Sequence, residues 1–259
     1  MIRYSLCLLF LCLSWPVLSQ ERWQTDEYIQ NSFVKIALER EYKETQFPKL
    51  IRWNKPIRLF FESDSGDALL QKELLSVHAQ HLASITGLSI DFTSDPKKAN
   101  IFVVFTHYDN LEQKVQQYIG DPESIRAALD EAICLGNFRR NGRYEITRGS
   151  IIIPVDYARS KGRFLDCIVE EITQLMGLPN DSNEVFPSVF NDVSIDTYLS
   201  PLDYLLLKAL YSRYLTPGMD VKQTKAAFPN VLKQLHATQD IEKAIERVQR
   251  YSLKTYLGD

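Results

Sequence analysis

Residues 167–181 read CIVEEITQLMGLPND. On a helix, residues four apart share a face, so Glu170 and Gln174 project together with Glu171 beside them. Gly177 permits a sharp exit from such a helix, which would swing Asn180 and Asp181 back toward the same face. Two adjacent carboxyls suit general-base work by Glu171, with Glu170 raising its pKa by like-charge repulsion. The set Glu170, Gln174 and Asn180 is all oxygen, so no zinc is expected; any cofactor would be a non-zinc divalent ion such as Ca²⁺, Mg²⁺ or Mn²⁺. Asp181 and Asp192 would add negative charge to such a site. Two other readings stay open: a non-catalytic binding cleft, or a hydrogen-bonded cluster that ties the helix to the Asn/Asp-rich loop after it.

Other chemistry-bearing residues have weaker patterns. His78 and His81 lie three apart on one helix face but lack a third nitrogen or thiolate nearby in sequence, so a surface or core-edge position is the simpler expectation. His107 ends a strand, and His236 falls on a polar helix face. Arg139, Arg140, Arg143 and Arg148 cluster on a hairpin, either solvated or facing an anionic ligand or wall polymer. There is no Gly-rich phosphate loop and no supported Ser-His-Asp or Cys-His set. A formal net charge of −3 with no long basic run excludes a nucleic-acid tail.

These residues need elements to position them. IRLFFES (57–63) reads as a strand, with a turn and helix cap at Asp64–Asp67. Residues 68–86 form a long amphipathic helix stopped by Gly87. LSIDFT is a short strand and NIFVVFTHY (100–108) a strong buried one. Residues 109–133 read as helix broken at Gly120-Asp121-Pro122, followed by a hairpin with a two-residue turn at Asn141-Gly142. SIIIPVDY (150–157) follows, placed at a sheet edge because of Pro154. Helices are expected at 26–44, about 163–176 and 200–213, with two more after Pro217-Gly218. The expected fold is α+β, with a small mixed sheet, a long backing helix and terminal helices.

Residues 1–19 have the form of a secretory signal peptide: Arg3, an apolar run from Leu6 to Leu13, and cleavage after Ser19. A retained membrane anchor is the alternative, though the run is shorter than the ~20 residues needed to span a bilayer. Residues 20–259 would then be a single exported domain, periplasmic or extracellular, with no later membrane-crossing segment. Removal of Cys7 and Cys12 with the leader would leave Cys134 and Cys167. In an oxidising compartment these most simply form a disulfide, with two buried thiols as the alternative.

Across about residues 57–213 the chain resembles the zincin-like fold, in particular the metzincin metalloproteases. Their H-E-x-x-H-x-x-G-x-x-H pattern aligns with the opening stretch. The resemblance puts Glu170, Gln174 and Asn180 at the three ligand positions, Glu171 at the catalytic glutamate and Gly177 at the turn. Leu199-Ser200-Pro201-Leu202-Asp203, with Leu210-Tyr211, is similar to a family helix start, and Ala99–Val103 to the entry of its core strand. Every ligand histidine is missing, and Ser188–Asp192 stands where a methionine-containing turn would be. The whole mature chain resembles more closely an uncharacterised group of exported bacterial proteins. CIVEEITQLMGLPNDS, VFND (189–192) and LSPLDYLLLKALYSRYLTPGM (199–219) carry that likeness. The expectation is an envelope binding or scaffold protein with a degenerate protease cleft, its partner an envelope protein or cell-wall component. The alternative is a peptidase- or amidase-like hydrolase with Glu171 as base.

Overall fold

The computed structural model describes residues 21–39, 48–194 and 196–259. The leader read at 1–19, with Cys7 and Cys12, lies outside these, as do residues 40–44 of the first expected helix. Five strands make one mixed sheet: β1 (Ile57–Ser63), β2 (Ile90–Phe92), β3 (Ile101–Thr106), β4 (Leu135–Arg140) and β5 (Ile146–Pro154), in the order β2-β1-β3-β5-β4. All neighbours are parallel except β4, which runs antiparallel to β5 at one edge.

β3 and most of β5 are buried on both faces, which is why they read as continuous apolar runs rather than alternating ones. One face, with Val104 and Ile152, is covered by Leu111 and Val115 of α3 (Leu111–Tyr118) and Leu129 of α4 (Arg126–Glu131). The other face, with Val103, Phe105, Ile151 and Ile153, joins the main core. Leu75 and Leu82 of α2 (Ala68–Thr86), Ile168 and Ile172 of α6 (Phe164–Gln174), and Leu206 of α7 (Pro201–Leu210) meet it there. A short α5 (Val155–Ser160) links β5 to α6. Beyond α7, α1 (Asp26–Leu38) and α8 (Val221–Ala237) pack through Phe33 and Phe228, whose ring centroids are 5.2 Å apart.

Several sequence expectations need correction. Segment 150–157 is not a separate edge strand; its first part completes β5, between β3 and β4, and β4 is the edge. Pro154 is the last residue of β5 and the N-cap of α5, so the proline marks a strand end, where at most one ladder bond is lost. The hairpin turn is a five-residue loop (141–145), not a two-residue one. Asn141 Oδ1 accepts from the Arg143 and Glu145 amides at 2.9 and 3.1 Å, and Tyr144 takes a left-handed φ of 63°. α1 stops at Leu38, with Glu39 already extended. The C-terminal part holds three helices rather than two: α8, α9 (Ala244–Gln249) and α10 (Leu253–Leu257).

α6 is held from three directions. Near its start, Cys167 is bonded to Cys134, just ahead of β4. Behind it, His78 Nε2 of α2 lies 3.1 Å from both the Val169 carbonyl and the Thr173 hydroxyl. Past its end, Trp53 Nε1 donates to the Leu175 carbonyl at 2.7 Å, and the Tyr211 hydroxyl to the Met176 carbonyl at 2.8 Å. These satisfy carbonyls that a helix end leaves without partners. Gly177 follows with φ 116°, and a Cβ there would lie 2.3 Å from the Ile51 carbonyl oxygen.

Gly177→Ala is therefore expected to cost at least about 1–3 kcal/mol, the scale of a strained backbone position, read as a lower urea midpoint. Replacing Cys134 and Cys167 together with serine removes a cross-link between residues 33 apart. Chain entropy alone gives that loss as roughly 3–4 kcal/mol, measurable by chemical denaturation.

Candidate functional site

α6, the segment leading into β4, and the loop after α6 enclose a cavity of about 530 Å³. The wall toward α4 and β4 is mainly apolar, with Ala128, Ala132, Ile133, Leu135, Phe138 and the Cys134–Cys167 disulfide. Among the described residues, the acidic side chains lining the cavity are Glu131, Asp166, Glu170, Glu171, Asp181 and Asp192, against one guanidinium, Arg163.

Glu171 is the most enclosed of these acids, 8 % exposed. Its Oε2 lies where a Cβ on Gly136 would stand, 2.3 Å from that ideal position, so the glycine of the edge strand makes room for the carboxyl. Among the described residues nothing donates a hydrogen bond to this carboxyl. Burial pushes its pKa up to about 8, and the charge of Asp181 adds to the shift. Glu170 is pushed up to about 9, by burial first and then by Glu171 and Asp181, while Arg163 pulls the other way. Arg163 Nη2 stands 3.7 Å from Glu170, and its Nε is 2.7 Å from Asp166. Both glutamates are therefore poised to hold or exchange a proton near neutral pH.

The structure brings most of the sequence-derived set together, with one exception. Gln174 Nε2 donates to both oxygens of Asp181, at 2.9 and 3.0 Å. Asp192 sits exposed at the rim. Asn180 is turned out of the cavity. Its Nδ2 donates to the Lys35 carbonyl at 3.0 Å and its backbone amide to the Ile36 carbonyl at 3.2 Å, closing the end of α1. Beyond the Gly177 turn it is Asp181, one residue later, that returns to the α6 face.

Asp203, in the segment Leu199–Asp203, is also buried, but it is fully engaged. It accepts from the Ser188 hydroxyl (2.6 Å), the Val189 amide (3.0 Å) and the Ser200 amide (2.8 Å), tying the loop below the cavity to the first turn of α7. His78 and His81 are enclosed in the core rather than at its edge, and burial lowers their pKa values to about 3 and about 4. His107 stands 3.6 Å from Asp156, and His236 bridges Asp26 and Glu242 at 2.7 and 3.2 Å. On the hairpin, Arg140 stacks on Tyr144, Arg148 on Phe102, and Arg143 pairs with Glu145.

Sequence reasoning passed over Arg163, Asp166 and Gly136. Arg163 and Asp166 lie seven and four residues before Glu170, the helical spacing that already linked Glu170 to Gln174, so that signal was there to use. Gly136 gave none, because its role exists only across the sheet-to-helix gap. Among the described residues no group of three or more His, Cys, Asp or Glu side chains is arranged to hold a metal ion.

The architecture defines a mixed α/β protein on one five-stranded sheet, with an acid-rich cavity between the edge strand and the helix beside it. Its sequence places it more narrowly. The chain belongs to the family described as Protein of unknown function (DUF2927), which matches residues 26–230 and so takes in the whole sheet, α6 and α7. No curated protein matches the sequence.

The raised carboxyls and lowered histidines act on stability in opposite directions. Folded Glu170 and Glu171 keep protons that the unfolded chain loses above about pH 4.5, so their contribution falls as pH rises toward 8–9. Folded His78 and His81 stay neutral while the unfolded chain takes up protons below about pH 6.5, so theirs falls as pH drops toward 3–4. Between about pH 4.5 and 6.5 the two effects offset each other. Glu171→Gln should remove up to about 1.4 kcal/mol per pH unit of the carboxyls' fall between about pH 4.5 and 8, flattening the alkaline limb and leaving stability rising with pH between about 4.5 and 6.5, as measured by urea denaturation across pH.

Proposed function

We propose that this is an exported, non-catalytic binding or scaffold protein of the cell envelope, built on a zincin-like fold whose zinc site has been lost. The observation that carries the reading is the engagement of the three side chains at the protease ligand positions. Glu170 faces Arg163, Gln174 donates its amide to Asp181, and Asn180 caps α1 outside the cavity. Gln174 has its amide hydrogens committed to Asp181, and catalytic zinc favours histidine nitrogens over such an oxygen set. The cavity itself remains, large enough for a small ligand or a side chain.

The element order supports the zincin-like part. A strand and long helix are followed by further strands, an antiparallel edge strand beside the cavity, the interior strand β5, the short α5, and then α6 with its glycine turn. The leader-like start and the Cys134–Cys167 disulfide support export, since such bonds persist in oxidising compartments. No helix among the described residues is long and apolar enough to cross a membrane. An envelope protein or cell-wall component is the partner this reading implies.

Metal analysis of the purified mature protein tests the reading and should find no stoichiometric zinc. One tightly bound zinc per chain, lost on Glu170→Gln or Gln174→Ala, would overturn it.

A second reading is favoured by Glu171 itself, a buried carboxyl to which no described residue donates and whose pKa is pushed up to about 8. In a peptidase- or amidase-like hydrolase it would take the proton of an attacking water, with a non-zinc metal or none. That reading expects turnover of a peptide or wall substrate that Glu171→Gln abolishes while thermal unfolding stays cooperative. Equal turnover in the variant rules it out.

A further inference from the structure

We infer that the cavity takes an aliphatic chain ending in a primary ammonium group, its stem along the β4-side wall and its nitrogen among Glu170, Glu171 and Asp181. The inference deepens the binding reading above and rests on it.

Three features point to that chemistry. First, the lining combines two kinds of group: Ile133, Leu135, Phe138 and the Cys134–Cys167 disulfide, and the carboxyls of α6 and its following loop. A ligand matching both has an apolar stem and a charged or donor tip, as lysine-like chains do. Second, Glu171 is more than nine-tenths buried, lines the cavity and accepts no hydrogen bond from any described residue. A ligand donor reaching this carboxyl from the cavity would supply the hydrogen bond that the described residues do not. Third, among the described residues the lining carboxyls outnumber the one guanidinium, and an ammonium group beside Glu170 and Glu171 would favour their ionised forms over the protonated ones they hold at neutral pH. Arg163 is turned chiefly to Asp166, at 2.7 Å, and stands 3.7 Å from Glu170.

The lining suits an organic cation better than a metal ion. No group of three or more His, Cys, Asp or Glu side chains among the described residues is arranged to hold a metal ion. An ammonium group needs N–H···O contacts of about 2.7–2.9 Å, longer than the ~2.0–2.6 Å of Mg²⁺ or Ca²⁺ ligation. Its three donors also suit acceptors from separate directions, here α6 and the loop carrying Asp181. Gly136 contributes by leaving the carboxyl of Glu171 its place beside β4.

The test is calorimetric titration of the mature, disulfide-intact protein with cadaverine, N-acetyl-lysine methylamide and n-pentanol, near neutral pH and low salt. Both amines are expected to bind and pentanol not to. Tighter binding of cadaverine would identify a free diamine as the source of the amine, and tighter binding of the lysine derivative a side chain of a larger ligand. Glu171→Gln and, separately, Glu170→Gln should each weaken amine binding about tenfold or more, with folding checked by near-UV circular dichroism. Amines that fail to bind the folded wild type, bind both variants equally, or bind no better than pentanol would overturn the inference. So would Ca²⁺ or Mn²⁺ binding where the amines do not. Zinc content and turnover are read on the same preparation. Stoichiometric zinc or turnover sinks the binding reading, whereas a zinc-free, inactive and folded protein that ignores amines sinks only this inference.

Discussion

The chain leaves α6 at Gly177 so close to the Ile51 carbonyl that a side chain has no room, and with a φ that L-residues rarely adopt. That contact fixes how far α6 extends and where the loop after it goes. Trp53, two residues beyond Ile51, donates to the Leu175 carbonyl, and Tyr211, just past α7, donates to the next one. The irregular segment before β1, the end of α6 and the end of α7 are thus locked at one point. From that point Asn180 is directed to the end of α1 and Asp181 back to Gln174. With the disulfide at the other end, α6 can neither slide nor rotate, and its acidic face stays in the cavity.

Two buried carboxyls show what this rigidity supports. Asp203 is removed from solvent, and Glu171 is 8 % exposed on the cavity wall. Asp203 receives a hydroxyl and two backbone amides, and it joins a loop to a helix start as a structural anion. Glu171 receives nothing from the described residues, shares its surroundings with other acids, and holds its proton to about pH 8. An unpaired buried acid is a liability for folding. Stored in a cavity wall and held by a rigid helix, it is a group available to something outside the chain.

Much of the site was legible because it lies on one helix. The four-residue spacing of Glu170 and Gln174, the glycine stop and the acidic residues beyond it follow from helical geometry, and all but Asn180 among those polar residues reach the cavity. Asn180 shows the limit. Beyond a glycine turn, consecutive side chains point in different directions, and the choice between Asn180 and Asp181 depends on the end of α1, far away in sequence. The same limit explains segment 150–157. Pro154 was a true local signal of a strand end, but edge or interior is decided by which strands pair, and pairing is not local.

Local pattern in the sequence was enough for the elements: the apolar runs of β3 and β5, the capped and glycine-stopped α2 and the acidic face of α6. It was enough because period, capping and backbone restriction act over a few residues. The Cys134–Cys167 bridge, expected with free thiols as the alternative, is present in the structure. Only the tertiary structure decided that β4 is the edge strand, that Gly136 faces Glu171, that His78 and His81 are enclosed, and that Arg163 and Asp166 join the acids. Each of those depends on contacts between segments far apart in the chain. There burial and hydrogen bonding set the charge state of a side chain, which its residue type alone does not.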